Sequence, residues 1–126
     1  MVNDVSEDIF VLADKESILG VVMNLVGNAV KFTPEGGHVR ITAVDCGNRV
    51  DLCVEDDGLG VDEEKISKLL YENLYFTTPG TNGEPGTGLG LMLCESQLVR
   101  NGSHLHFRRN ESSGSTFGFE LEKYQA

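Results

Sequence analysis

Ile18, Val22, Leu25, Ala29 and Phe32 recur at spacings of four, three, four and three, which puts them on one stripe of a single long helix. A helix that is apolar along one side only has to lie against another apolar surface. That surface is written next in the chain. Val39, Ile41 and Ala43 alternate with Arg40 and Thr42, and beyond a turn at Gly47-Asn48 the residues Val50, Leu52 and Val54 alternate with Asp51, Cys53 and Glu55. Period-two alternation marks strands with one buried face, and the short separation makes the two a hairpin. A helix laid on a sheet is the constraint the rest of the chain has to meet.

The remaining segments fit it. Ile9 to Ala13 reads as a short first strand, and Asp14 stands where an N-cap belongs before the long helix. Thr33-Pro34-Glu35-Gly36-Gly37 stops that helix. Asp62, Glu63 and Glu64 favour a second helix start, with Ile66, Leu69 and Leu70 as its apolar side. Leu91, Met92, Cys94 and Leu98 define a third, ending at Asn101-Gly102, where glycine suits a left-handed cap. Leu105/Phe107 and Phe117/Phe119/Leu121 read as closing strands, with His104 and His106 on the polar face of the first of them. Between about Glu72 and Gly86 the periodicity gives way to Thr, Gly, Asn and Pro, and so long a structureless stretch points to function. The predicted fold class is α/β (α+β): a two-layer sandwich in which a mixed, mostly antiparallel sheet of about five strands is covered on one face by about three helices. At 126 residues with 40% apolar content, one domain spanning 1–126 is expected.

Ten Lys and Arg against twenty Asp and Glu leave a net charge of −10, which argues against nucleic acid and against an anionic membrane surface. No apolar run has the length of a spanning helix, and the N-terminus lacks the features of a signal peptide, so a cytoplasmic location is expected. Cys46, Cys53 and Cys94 are odd in number and lack C-x-x-C spacing, and the three histidines have no ligand cluster nearby in sequence. Neither a disulfide framework nor a zinc site is suggested.

Three constellations carry chemistry. Asn24, Asn28 and Lys31 share a stripe of the long helix apart from its apolar side, where amide oxygens can ligate a hard cation and an ammonium can offset phosphate charge. Alone, the stripe is equally a solvated helix face. Asp56, in Asp56-Asp57-Gly58-Leu59-Gly60, shares by parity the inward face of Val50, Leu52 and Val54, and an ionised carboxylate there suits an amine donor such as that of adenine. Gly58 and Gly60 would let a flat ring approach the backbone; alone, the segment is equally a glycine turn. Gly86-Thr87-Gly88-Leu89-Gly90-Leu91 opens the third helix with exposed amides at the positive end of its dipole, a place for phosphate. It lacks the Gly-Lys-Ser/Thr of a Walker loop and the spacing of a dinucleotide fingerprint.

Together, in this order, these residues resemble the catalytic ATP-binding domain of sensor histidine kinases, in the Bergerat fold shared with gyrase B and MutL. Asn24-Leu25-Val26-Gly27-Asn28-Ala29-Val30-Lys31-Phe32-Thr33-Pro34 looks like the family's N box, the segments at Asp56 and Gly86 like its two glycine boxes, and Gly114-Ser115-Thr116-Phe117 like its closing motif.

The resemblance implies that Mg-ATP sits between the long helix, the sheet edge and a lid at about 72–86. Asn28 would ligate Mg2+, Asn24 and Lys31 would face the phosphates, and Phe32 would pack near the adenine. Asp56 would accept from the adenine amine, with Gly58 and Gly60 beneath the ring and Thr116 behind it. The stretch Gly86, Thr87, Gly88, Leu89 and Gly90 would hold phosphate. The γ-phosphoryl group would go to a histidine on separate dimerisation helices, and the full kinase would serve a response regulator. No acceptor-like helix accompanies these motifs, so the expectation is an excised module, monomeric in isolation, that does not phosphorylate itself; any membrane anchor would belong to the parent. Hydrolysing relatives carry a Glu one turn before the metal-binding Asn. Asn24 in that place cannot take a proton, which favours phosphotransfer. Two other readings compete: a nucleotide-sensing or interaction module without turnover, motivated by the lack of Lys or Arg between Glu72 and Thr87, and a serine kinase of the anti-sigma type.

Overall fold

The computed structural model describes residues 2–5, 11–58, 63–71, 78–79, 85–86, 89–110 and 113–123. Helix α1 (Lys15–Phe32) is followed by the hairpin of β2 (Val39–Asp45) and β3 (Arg49–Asp56), then by α2 (Glu63–Tyr71) and α3 (Leu89–Arg100), and the chain closes with β6 (His106–Arg109) and β7 (Ser115–Glu122). An initial strand β1 (Val2–Asp4) and a two-residue pair, β4 (Thr78–Pro79) and β5 (Pro85–Gly86), complete the set. The main sheet has the order β1-β2-β3-β7-β6. Its four later strands are antiparallel, while β1 joins β2 in parallel, with α1 as the crossover that a parallel pair requires.

The expected strand at Ile9 to Ala13 is corrected. Ile9 and Phe10 lie outside the described residues, and Val11 makes only a single bridge to Lys123 while the Leu12 amide donates to the Glu122 carbonyl at 2.9 Å. Asp14 then opens α1 as its N-cap residue. The Asp14 carboxylate accepts from the Ser17 hydroxyl at 2.6 Å rather than from a helix amide. His104 also lies ahead of β6 rather than in it, bonded to Glu95 at 2.8 Å.

One face of the sheet forms the core with the helices. Val39 and Ile41 of β2, Val50 and Val54 of β3 and Phe119 and Leu121 of β7 are buried there. Val21, Leu25 and Ala29 of α1 and Leu91, Cys94 and Leu98 of α3 cover them. The buried line of α1 is centred one position from the predicted stripe, with Ile18 and Val22 only flanking it. The cause is that α1 meets α3 as well as the sheet: the Cys94 thiol lies against the Val21 carbonyl at 3.7 Å. Helix α3 ends as predicted, with Gly102 at φ 74° and the Ser103 amide bonded back to the Leu98 carbonyl at 2.8 Å.

Candidate functional site

The inward parity of β3 carries Asp56 to the end of the strand, where it is 8% exposed. Its Oδ1 accepts from the Gly58 amide at 2.9 Å and the Ser115 amide at 3.3 Å. Among the described residues it has no ion pair, and Oδ2 has no hydrogen-bond partner. Burial pushes its pKa above the ordinary 3.8; the two amides pull it down, and neighbouring Asp57 adds to the rise. The carboxylate is therefore held in one orientation by backbone through Oδ1, while Oδ2 is accessible to a further donor.

The surrounding backbone is close-fitting. Gly58 lies against the Phe32 carbonyl so tightly that a β-carbon there would collide with it, which fixes the end of α1 beside Asp56. Gly114, at φ +83°, presses in the same way on the backbone of Asp56. Asn110 donates to the Asp56 carbonyl at 3.3 Å and the Ser113 hydroxyl to the Asp57 carbonyl at 3.4 Å. Asp57 itself turns away, accepting from the His38 amide at 2.7 Å. Three separated segments thus converge on one carboxylate.

Along α1 the other predicted residues follow. Lys31 Nζ lies 5.8 Å from the centre of the Phe32 ring. Asn28 is half-buried and Asn24 exposed, and among the described residues neither side chain has a hydrogen bond. Asn24 reaches the start of α3: a β-carbon on Gly90 would sit 3.5 Å from its Oδ1. From Asn24 to Phe32 the helix rises about 12 Å. The Phe32 end of α1 thus borders Gly58 and Asp56 while Asn24 borders Gly90 of α3, a separation on the scale of a nucleotide with its phosphates.

Other predicted residues stand elsewhere. Gly86 pairs with Thr78 in the β4/β5 ladder, and Leu89 begins α3. Gly60, Thr87 and Gly88 lie outside the described residues, as does most of the expected lid at 72–86. Thr116 is corrected: it is on the far face of the sheet from Asp56, buried, with its hydroxyl donating to Asn110 Oδ1 at 2.7 Å. Ser115 is the member of that motif that touches Asp56. Parity already contains this, because Ser115 and not Thr116 is in phase with Phe117, Phe119 and Leu121.

Residues 13–125 match the family model described as histidine kinase-, DNA gyrase B-, and HSP90-like ATPase. The adaptive-response sensory kinase SasA of Crocosphaera subtropica is 33% identical across 99% of this chain, and the sensor histidine kinase WalK of Bacillus subtilis is 30% identical across 90%. The chain spans only 33% and 19% of those two relatives. Among solved structures, the nucleotide-free catalytic domain of histidine kinase ThkA superposes with a TM-score of 0.80 at 33% identity, covering 97% of this chain and 78% of that one. Full-length ShkA, solved in complex with AMPPNP, gives 0.73 at 29% identity, covering 99% of this chain and 26% of that one. The chain belongs to the histidine kinase-, DNA gyrase B- and HSP90-like ATPase family, as an ATP-binding catalytic domain of the sensor histidine kinases of two-component systems.

Proposed function

We propose that this domain binds Mg-ATP with the adenine on Asp56 and the phosphates between Asn24, Asn28, Lys31 and the start of α3, and that it passes the γ-phosphoryl group to a histidine on separate dimerisation helices. The observation that carries the reading is Asp56: a buried carboxylate with one oxygen held by two amides and the other open. An acceptor oxygen held in a fixed orientation and still accessible suits an incoming donor, and the adenine amine is a donor of the right kind. Gly58 holds the end of α1 beside Asp56, Phe32 would border the ring, and the amides from Gly86 to Gly90 would meet the phosphates. The Ser115 amide steadies Asp56 in that position.

The unengaged amide of Asn28 fits a hard-cation ligand, and Mg2+, when bound, would draw charge from the phosphate oxygens. Asn24 cannot act as a base toward water. Positioning and charge neutralisation are what this chain supplies, and these suffice for transfer to an imidazole that is itself nucleophilic. ThkA has been solved in complex with a response regulator, TrrA. By analogy the parent kinase of this domain would serve a response regulator in the cytoplasm, with this domain monomeric on its own.

The test is transfer in trans. With radiolabelled γ-phosphate on ATP, label should appear on a separately prepared histidine-bearing dimerisation domain and none on this chain alone. A second reading, a nucleotide-sensing or interaction module without turnover, draws on the absence of Lys and Arg between Glu72 and Thr87. ATP binding without transfer to any supplied histidine helix would favour it.

A further inference from the structure

On the sheet face turned away from the helices, Asp51 and Cys53 of β3 converge with His106 of β6, although β7 runs between those strands. The register sets Cys53 beside Gly118 and Gly118 beside His106 in one row. Strands two apart in a sheet are separated by about 9.5 Å, too far for such side chains to meet across an ordinary residue. Gly118 removes the obstacle. A β-carbon there would stand 2.6 Å from His106 Cε1 and 2.9 Å from Cys53 Sγ, so both side chains lean over the glycine. Glycine weakens a strand interior, and its presence in one marks a place of close approach.

The result is a thiol, an imidazole and a carboxylate with one ligand atom from each lying within 4.8 Å of the others. His106 Nε2 and Asp51 Oδ1 are 2.8 Å apart, and Asp51 and Cys53 are half-buried while His106 is open to solvent. We propose that Asp51, Cys53 and His106 form a binding site for a divalent ion of the zinc class, with water in the fourth position. Sulfur, nitrogen and oxygen donors of this kind suit a borderline-soft tetrahedral ion at bond lengths of about 2.0–2.3 Å, which sets ligand atoms about 3.3–3.8 Å apart. The three ligand atoms already lie within 4.8 Å of one another, and the Asp51–His106 pair, now 2.8 Å apart, opens to that spacing when the ion takes the place of their hydrogen bond. On binding, the Cys53 thiol gives its proton to solvent and the sulfur lone pair forms the new bond to the ion. The site is separate from Asp56, which faces the other side of the sheet. Sequence spacing conceals it, because fifty-five positions separate Asp51 from His106.

Cobalt titration of the purified chain, followed by displacement with zinc, tests the proposal. The expected result is one equivalent of Co2+ bound with a thiolate-to-cobalt charge-transfer band and the visible bands of tetrahedral coordination, all bleached by Zn2+. Cys53→Ser should abolish the charge-transfer band and His106→Gln should weaken binding by about tenfold or more. Cys46→Ser, at an exposed thiol, should change neither. Far-ultraviolet circular dichroism of each variant separates loss of the site from loss of the fold, and His106→Gln alters an exposed side chain that carries no core packing. A wild-type chain without the band, or a band that survives Cys53→Ser, overturns the proposal.

Discussion

Asp56 shows the conflict between stability and function most plainly at the scale of one residue. Its Oδ1 bonds do not need a charge, since an amide oxygen can accept from Gly58 and Ser115 equally well. Asp56→Asn should therefore leave the empty domain at least as stable, while placing a donor where the adenine amine also donates. ATP affinity measured by calorimetry should fall by about 10–100-fold, the effect of a buried donor left unpaired. The pH dependence has a definite sign. Because the native pKa is raised above 3.8, the folded state holds this proton more tightly than the unfolded chain. Its contribution to stability is full below that value and lost as pH rises through the raised one. The stability advantage of Asp56→Asn, from urea unfolding at a series of pH values, should grow upward through that window and then level off. Asp56 itself was legible from strand parity. Ser115 is in phase with Phe117, Phe119 and Leu121 by the same count, whereas the resemblance points to Thr116.

Elements differ in how much of their environment is local. The helices and the β2/β3 hairpin follow from spacing, capping and turn chemistry within a few residues, so α1, α3 and the closing strands were readable. Strand β1 was not, because Val2-Asn3-Asp4 has no alternation and its ladder is with residues 40–42, on the far side of α1. The shift of the buried line on α1 was hidden for a related reason: a helix wedged between sheet and α3 is buried over a wider arc than one partner would give. That placement predicts a contrast. Leu25→Ala, at 2% exposure, should cost about 2–5 kcal/mol in chemical unfolding, whereas Leu19→Ala, at 54%, should stay within about 0.5 kcal/mol. At the tight contact between β7 and β3, Gly114→Ala should cost at least about 2 kcal/mol, from its positive φ and from collision with the Asp56 backbone.

For the whole molecule, charge decides how ATP can be held. A chain of net charge −10 opposes a polyanion, and screening only partly relieves that opposition. Removing Mg2+ with a chelator should therefore weaken ATP binding, and raising ionic strength should partly restore it. Among the described residues no helix is long and apolar enough to cross a membrane, and the chain covers a third or less of relatives such as SasA and WalK. Calorimetric titration with ATP, with and without Mg2+, on the parent chain and on Asp56→Asn, probes the nucleotide pocket itself. One ATP per chain is expected, tighter with Mg2+, and a large loss of affinity in Asp56→Asn with the fold intact. Equal affinity in parent and variant would contradict the placement of the adenine on Asp56.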